Sequence, residues 1–139
     1  MRRRNMDPSV ESKIRSDAFL RFLDATFEEI RPGYARVSLT VTESMLNFHG
    51  ITQGGVVFAL GDLAFSAASN SHGQVAVALD MTISFLRATT VGDHLVAQAE
   101  EVSLGNRTAL YEITLRETTR NEIVARIQAT AYRKKEKVG

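Results

Sequence analysis

Apolar side chains recur along this chain at two spacings, and the change between them separates helices from strands. Over residues 9–24 the spacing is helical, and Ser9 behind Pro8 can serve as the N-cap. Residues 27–33 read as a short strand closed by a Pro-Gly turn. Residues 34–42 alternate strictly, which predicts a half-buried strand. Its apolar face would carry Ala35, Val37, Leu39 and Val41.

The second half of the chain repeats the strand pattern after one long apolar stretch. A central helix is predicted at about 54–71, because this stretch is long and apolar on nearly every side. Gly105-Asn106 is a hairpin signal between two of the strands that follow. Those strands are predicted at 75–87, 94–103, 108–116 and from 121 through 131. One face of the first would carry Val75, Val77, Leu79, Met81, Ile83 and Phe85, and one face of the last Ile123, Ala125, Ile127, Ala129 and Ala131.

The element order predicts an α+β domain in which a six-stranded sheet wraps the central helix. Strands joined by hairpins form a mainly antiparallel sheet. One sheet is too small to cover both this helix and its own edges, so we expect the chain to form a homodimer. We assign residues 1–139 to one domain with an extra N-terminal helix, and residues 1–8 and 134–139 to flexible tails.

Composition narrows the functional classes. The 139 residues carry a formal net charge of +1 and no cysteine. The charge gives no electrostatic reason to bind nucleic acid, and the missing thiols remove disulfides, thiolate catalysis and Cys-type zinc sites. No apolar segment follows the N-terminal arginines, and the central stretch is shorter than the ~20 residues that span a bilayer. We therefore expect a cytoplasmic protein without a membrane partner.

One carboxylate stands out against this background. Asp62 is the only ionisable side chain between Gly54 and Ser71. An unpaired charge in apolar surroundings is costly, so this position favours chemistry over packing. A structural role, in which Asp62 caps a neighbouring backbone, is the alternative. Ser66 and Ser69 fall on the same helical stripe and would hydrogen-bond the carboxylate or a water, or simply ease close packing.

Several segments around the helix resemble a known family. The run from Asn47 to Phe65 keeps an Asn-x-x-Gly, a Gly-Gly and a helix Asp at fixed spacing. Ala68-Ser69-Asn70-Ser71, Phe85-Leu86-Arg87 and the segment 92–97 match as well. Together, over about residues 20–133, the chain resembles hotdog-fold thioesterases, and within them the phenylacetate-degradation (PaaI-type) branch.

The resemblance implies hydrolysis of acyl-CoA thioesters, with no cofactor apart from the CoA of the substrate. Asp62 would act as general base or nucleophile, and the amides of Gly54 and Gly55 would polarise the thioester carbonyl. Asn47 would orient water or the carboxylate. The resemblance also implies a homotetramer made of two dimers. Two positions depart from the branch: Gln53 replaces a frequent His, and Ala88 replaces a common Pro. We expect Gln53 to position the substrate, since glutamine cannot titrate.

Physical chemistry supports these roles and adds a constraint. The first amides of a helix lack intrahelical partners and carry the positive end of its dipole, so Gly54 and Gly55 can form an oxyanion site. Burial beside Phe58, Leu63 and Phe65 would raise the pKa of Asp62. Gly54 and Asp62 are roughly 12 Å apart along one helix, at 1.5 Å per residue. We infer that Gly54 of one subunit works with Asp62 of the other.

The remaining polar residues leave alternatives open. His49 would contact the substrate or hydrogen-bond locally, and pairing it with an acid would instead resemble the hotdog dehydratases. A non-catalytic acyl-CoA sensor is a second alternative. Phe58 would line an acyl pocket or join the core. Four residues, Arg87, Asn106, Arg107 and Arg133, would contact the phosphates of CoA or are ordinary exposed residues. The three histidines lack metal-ligand spacing, so we predict no metal.

Overall fold

The computed structural model describes residues 6–139. Residues 1–5 of the predicted N-terminal tail, including Arg2–Arg4, lie outside this range. The helices are α1 (Pro8–Arg15), α2 (Ala18–Phe22) and α3 (Gly54–Asn70), with a short 3-10 turn at Glu43–Met45. The strands are β1 (Thr26–Arg31), β2 (Tyr34–Thr40), β3 (Gln74–Phe85), β4 (His94–Leu104), β5 (Thr108–Glu117) and β6 (Glu122–Lys137).

All six strands form one antiparallel sheet in the order β1-β2-β4-β5-β6-β3. Helix α3 lies against its inner face, where alternate residues of every central strand are buried. The packing is close: a Cβ built on Gly61 would collide with Cδ1 of Ile127. The predicted hotdog architecture, a long helix wrapped by a six-stranded sheet, is confirmed. The three apolar residues of the predicted stripe in β2, and Val41 directly after the strand, are at most 2% exposed, as their alternation predicts.

The N-terminal helix departs from the prediction. The chain forms two short helices instead of one over 9–24, because Asp17 interrupts the first and caps the second by accepting hydrogen bonds from the amides of Phe19 and Leu20. The N-cap of α1 is Asp7 rather than Ser9. Residues 7–8 therefore belong to the start of a helix. Likewise, residues 134–137 belong to β6, and neither segment is the flexible tail expected from its charges.

β-Bulges in β3 and β6 change which of their side chains face the core. In β3 the register against β6 shifts between Ala78 and Asp80, so the single predicted apolar face is split and Leu79 is 59% exposed. In β6 the pairing skips Val124, which is buried in place of Ile123. An extra residue in one strand reverses the alternation beyond it. The carbonyl of Val124 also accepts the amides of Leu86 and Arg87, which fixes the segment after β3.

Glu117 is fully buried at the end of β5, where backbone N–H groups donate hydrogen bonds to its carboxylate. Oε1 accepts the amide of Arg120 at 2.8 Å, and Oε2 accepts the amide of His94 at 3.1 Å. The bond from Arg120, and after it that from His94, lowers the pKa of this carboxyl. The folded state thus favours the charged form. The resulting stabilisation is complete above the ordinary glutamate value of 4.5 and is lost as pH falls through the lowered pKa.

We expect Glu117→Gln to lower the melting temperature at neutral pH by several degrees, because an amide NH2 would face backbone donors. The difference from wild type should narrow at acidic pH, where the wild-type carboxyl is protonated too. Thermal unfolding followed by circular dichroism across this range measures both effects. Glu112→Gln, on an exposed side chain of the same strand, serves as the control. An equal loss in both variants, or none in Glu117→Gln, would contradict this role.

Candidate active site

Asp62 lies on the exposed side of α3. Its neighbours Leu63 and Phe65 turn into the core and are 4% and 2% exposed, whereas Asp62 and Ser66 are exposed one turn apart. Leu63 and Phe65 thus pack inward, and the carboxylate of Asp62 remains on the outer side of the helix. Phe58 is half-buried against the core. Within one subunit, the carboxylate is presented outward from an apolar helix.

The carboxylate of Asp62 has no hydrogen bond or ion pair to any of residues 6–139. The alternative that it caps a neighbouring backbone thus finds no support in these residues. Neighbouring atoms still shield part of the group from water. This partial burial, and after it the negative charge of Asp17, raises the pKa of Asp62. A carboxylate with a raised pKa is a stronger base than a free aspartate.

The N-terminus of α3 presents unpaired donors. Gln53 occupies the N-cap position with φ −58° and ψ 133°, and its side chain makes no capping hydrogen bond. Its carbonyl accepts the amides of Val56 and Val57, while the amides of Gly54 and Gly55 have no acceptor among residues 6–139. These two N–H groups also carry the positive end of the helix dipole. They can stabilise an oxyanion that approaches the helix start.

A cavity of about 320 Å3 opens beside Gly54. The ring of Phe85 covers this glycine, since a Cβ built on Gly54 would lie 3.2 Å from Cζ of Phe85. The hydroxyl of Thr89 donates to that of Thr52 at 2.7 Å in the wall of the cavity. The rest of the lining is mainly apolar and consists of Ile51, Val57, Leu86, Ala88, with Asn47 and Arg87 at its polar edge.

The loop before α3 uses its polar groups internally. Oδ1 of Asn47 accepts the amide of His49 at 2.9 Å and that of Ile51 at 3.4 Å. In this arrangement Asn47 shapes the loop beside the cavity, and its acceptor oxygen is already engaged. The ring of His49 is exposed and packs on Phe48, with 4.0 Å between the ring centroids. The structure therefore places His49 at the surface of the loop, without an acidic side chain bonded to its ring.

The two serines of the predicted stripe separate. Ser66 is exposed on the side of Asp62, but Ser69 is 3% exposed and its hydroxyl donates to the carbonyl of Ser66 at 3.3 Å. A buried hydroxyl that bonds its own helix does not reach a substrate on the outer side. Ser66 retains the position expected of a residue that assists Asp62. For Ser69 the structure therefore favours the alternative that a small residue eases close packing.

The predicted phosphate contacts lie far apart within one subunit. Arg87 follows the end of β3, at the edge of the cavity beside Gly54. Asn106 and Arg107 form the β4–β5 turn near the start of β3, where the carbonyl of Arg107 accepts the amide of Arg133. From its first to its last residue, strand β3 spans roughly 36 Å at 3.3 Å per residue. Arg87 and the turn at Asn106 and Arg107 therefore lie near opposite ends of β3 within one subunit.

Sequence reasoning overlooked three contributors. The negative charge of Asp17 raises the pKa of Asp62. In the sequence, the position of this Asp directly before Ala-Phe-Leu is the signal of a helix N-cap. Phe85 covers Gly54, although its alternation was recognised only as a strand pattern. The hydroxyls of Thr52 and Thr89 meet across 37 residues of sequence, and no local pattern announces such a pair.

Comparison with known proteins places this arrangement in a family. The family model described as Thioesterase superfamily matches residues 49–124, more than half of the chain. The chain belongs to the thioesterase superfamily. The acyl-coenzyme A thioesterase PaaI of Escherichia coli is 41% identical to it over 100 residues, 72% of this chain and 71% of that protein.

Solved structures of the superfamily agree. The structure of Escherichia coli PaaI, from the phenylacetic acid degradation operon, matches with a TM-score of 0.90 and 32% identity over 97% of this chain and all of that one. A variant of PaaI from Thermus thermophilus matches at 0.81 and 35% identity, covering 85% and 100%. A Streptococcus mutans protein bound to acetyl CoA matches at 0.77 and 26% identity, covering 81% and 90%. The predicted hotdog thioesterase of the PaaI type is confirmed, and with it the prediction that the chain is a hydrolase.

Proposed function

We propose that the chain hydrolyses acyl-CoA thioesters at a site shared by two subunits, and that this site releases a free acid and CoA. One observation carries the proposal. The carboxylate of Asp62 and the amides of Gly54 and Gly55 have no hydrogen-bond partner within the described part of the chain, and they lie roughly 12 Å apart on one helix. One carbonyl group cannot meet both within a subunit. A neighbouring subunit would bring its Gly54 to this Asp62.

The reaction follows from these groups. As general base, Asp62 removes a proton from water while the water oxygen bonds to the carbonyl carbon. As nucleophile, its own oxygen bonds to that carbon, and water later cleaves the acyl-enzyme. In both routes the carbonyl oxygen gains negative charge, which the helix amides stabilise. The C–S bond then breaks, and CoA leaves as a thiolate that takes up a proton.

The free edge of the sheet supports the dimer. Strand β3 has β6 on one side and no strand on the other among the described residues. Its exposed apolar side chains include Val77, Leu79 and Phe85. A long apolar edge strand is a template for pairing with another chain. We propose that two β3 strands pair, which would set two α3 helices side by side.

The homotetramer remains a prediction, as does the cytoplasmic location. Among residues 6–139, no helix is long and apolar enough to cross a membrane.

The surface offers polar groups for the phosphates of CoA and an apolar cavity for the acyl group. We propose that Arg87 of one subunit and Asn106 and Arg107 of another meet the phosphates of CoA, because charged side chains and amides favour phosphate oxygens. The mainly apolar cavity beside Gly54 would take the acyl group. A volume of about 320 Å3 lies at the small end of ligand pockets. Aromatic and medium-length acyl groups fit it better than long chains.

Turnover of a panel of CoA esters tests the proposal. We expect release of free CoA from phenylacetyl-, hydroxyphenylacetyl-, benzoyl- and medium straight-chain CoA, with kcat/KM falling for long chains. A thiol reagent measures the product, and a reaction mixture without protein gives the background. If all esters bind but none is cleaved, the chain is a sensor. If an enoyl-CoA gains water without release of CoA, it is a hydratase. Either result would overturn the proposal.

A further inference from the structure

The side chain of Asn70, the last residue of α3, closes the outer edge of β3 at one point. Its Nδ2 donates to the carbonyl of Ala76 at 3.0 Å, and its Oδ1 accepts the amide of Ala76 at 2.9 Å. The same Nδ2 donates to the carbonyl of Ser66 at 2.9 Å, which ties the side chain to its own helix. The Asn70 amide is thus bonded to both backbone groups of one strand residue.

These two groups point away from the sheet. In an antiparallel ladder, the N–H and C=O of one residue point to the same side of its strand. Ala76 lies in register with Arg133 of β6 but gives both groups to Asn70. They therefore face the side of β3 on which none of residues 6–139 forms a strand. Asn70 occupies the place that a strand added there would take.

Beyond Ala76 this edge is open. Ala76 is buried, whereas Val77 and Phe85 are 43% and 55% exposed. Unpaired backbone groups along an edge are a template for another strand, and a side chain that binds those groups ends the template. The part of β3 available for pairing therefore runs from residue 77 to residue 85.

We propose that Asn70 is a positioning residue that limits how the β3 strands of two copies of this chain can pair. This role rests on the proposed function, which needs the β3 strand of a second copy to bring its Gly54 to Asp62. The occupant of the open edge is the same edge of that second copy, because a two-fold interface joins a surface to itself.

Symmetry turns the block at Ala76 into a limit on the register. In an antiparallel pair with two-fold symmetry, residues pair at equal distances on either side of the axis. Phe85, the last residue of β3, cannot lie opposite the partner's Ala76 or an earlier residue, because Asn70 fills that place. It must pair with residue 77 or a later one. The midpoint of 77 and 85 is Met81, so the axis lies at Met81 or beyond.

The limit matters to the site because Phe85 covers Gly54. Where the partner's Phe85 lies along β3 therefore decides where the partner's Gly54 lies along α3. Strand pairs slip in steps of two residues, since a slip of one reverses the faces, and one step is roughly 7 Å. A slip past Asn70 would carry the partner's Gly54 toward the C-terminal end of α3, away from Asp62. A misplacement of even about 1 Å can cost about 100-fold in rate.

Disulfide scanning of β3 tests the limit directly, because the chain has no cysteine of its own. Single cysteines are placed at each position from 77 to 85. Mild oxidation links a position to its own copy only where it lies close to the two-fold axis. We expect the maximum of cross-linked dimer at position 81 or later. A maximum at position 80 or earlier, or no cross-link at any position, would overturn the proposed role.

Removing the block should move the axis. In Asn70→Ala we expect the cross-linking maximum to shift by at least one position toward residue 77, because a two-residue slip moves the axis by one. The kcat should fall in proportion to the dimers cross-linked in shifted registers, with KM unchanged. The matched control is Ser71→Ala. It removes a side-chain bond to the carbonyl of Ala68 at the same end of α3, and it should lower the melting temperature without moving the maximum or kcat.

The outcomes separate this role from the proposed function. A maximum that shifts in Asn70→Ala, without cleavage of any CoA ester, supports the role of Asn70 and refutes the hydrolase. A maximum that stays in place in Asn70→Ala, or that moves equally in Ser71→Ala, overturns the role of Asn70 even if CoA esters are cleaved. If Asn70→Ala does not fold, the position of the wild-type maximum decides.

Discussion

Replacement of Asp62 by Asn or Ala is expected to lower kcat for CoA ester hydrolysis by more than about 100-fold, in line with loss of a general base or nucleophile. Asn keeps the size of the side chain but cannot accept a proton. Because Asp62 is exposed and bonded to none of the described residues, neither variant should disturb the protein's folding. Steady-state turnover, thermal unfolding and binding of a non-hydrolysable CoA thioether separate loss of chemistry from loss of structure.

The matched control is Asp24→Asn in the turn before β1. Asp24 has a φ of 53°, a conformation that Asn tolerates as readily as Asp. This variant should retain wild-type turnover. The pH profile of the wild type adds a further check: because partial burial and then Asp17 raise the pKa of Asp62, activity should fall with acid at a pH above the ordinary aspartate value of 3.8. Full activity in both Asp62 variants would remove the carboxylate from the mechanism.

Replacement of Gly54 by Pro is expected to lower kcat by about 100- to 1,000-fold, the effect of losing one oxyanion donor. Proline removes the N–H, yet it suits the first position of a helix, where that donor has no intrahelical partner. Gln53 already has the extended conformation that a residue before proline prefers, with ψ 133°. The exchange therefore deletes a donor at a position that accepts the proline ring's backbone geometry.

Gly54→Ala separates the donor from the added side chain. Both variants place a Cβ against Phe85, 3.2 Å from Cζ, but only alanine keeps the N–H. We expect Ala to cost much less activity than Pro, while both retain the fold by circular dichroism. Equal losses would assign the effect to displacement of Phe85 and not to the oxyanion donor.

Mixing the two inactive variants tests whether the site crosses subunits. In a heterodimer of Asp62→Ala with Gly54→Pro, one site has lost both groups and the other keeps both. Because half of randomly exchanged dimers are mixed, activity should recover to roughly a quarter of wild type. Subunit exchange must be shown separately, for instance with differently tagged chains. Exchange without recovered activity would place both groups in one subunit.

Local chemistry explains most of what could be predicted. The alternation in β2 and the apolar length of α3 specify their faces because each residue's direction follows from the backbone period alone. The family resemblance rests on the fixed spacing of Asn47, the Gly-Gly step and Asp62, which also lies within one stretch of chain. In contrast, the split of the N-terminal helix depends on whether Asp17 caps or continues a helix, and periodicity does not distinguish the two.

The remaining features depend on the alignment of distant strands. A bulge at Leu79 or Val124 is defined by the register of the opposing strand, so no pattern within β3 or β6 reveals it. The bulge at Val124 is what holds Leu86 and Arg87 beside the start of α3. It therefore contributes to the cavity at Gly54 although it is 70 residues away in sequence.

By itself the sequence determined the α+β architecture, the family and the identity of the lone helix carboxylate, because these depend on residue types and spacings that are local in the chain. Only the tertiary structure decided that Asp62 faces outward, that the acceptor oxygen of Asn47 bonds amides of its own loop, that Ser69 is buried, and that Phe85 covers Gly54. Those outcomes depend on which surfaces meet when helices pack on the sheet, and a one-dimensional pattern does not contain that information.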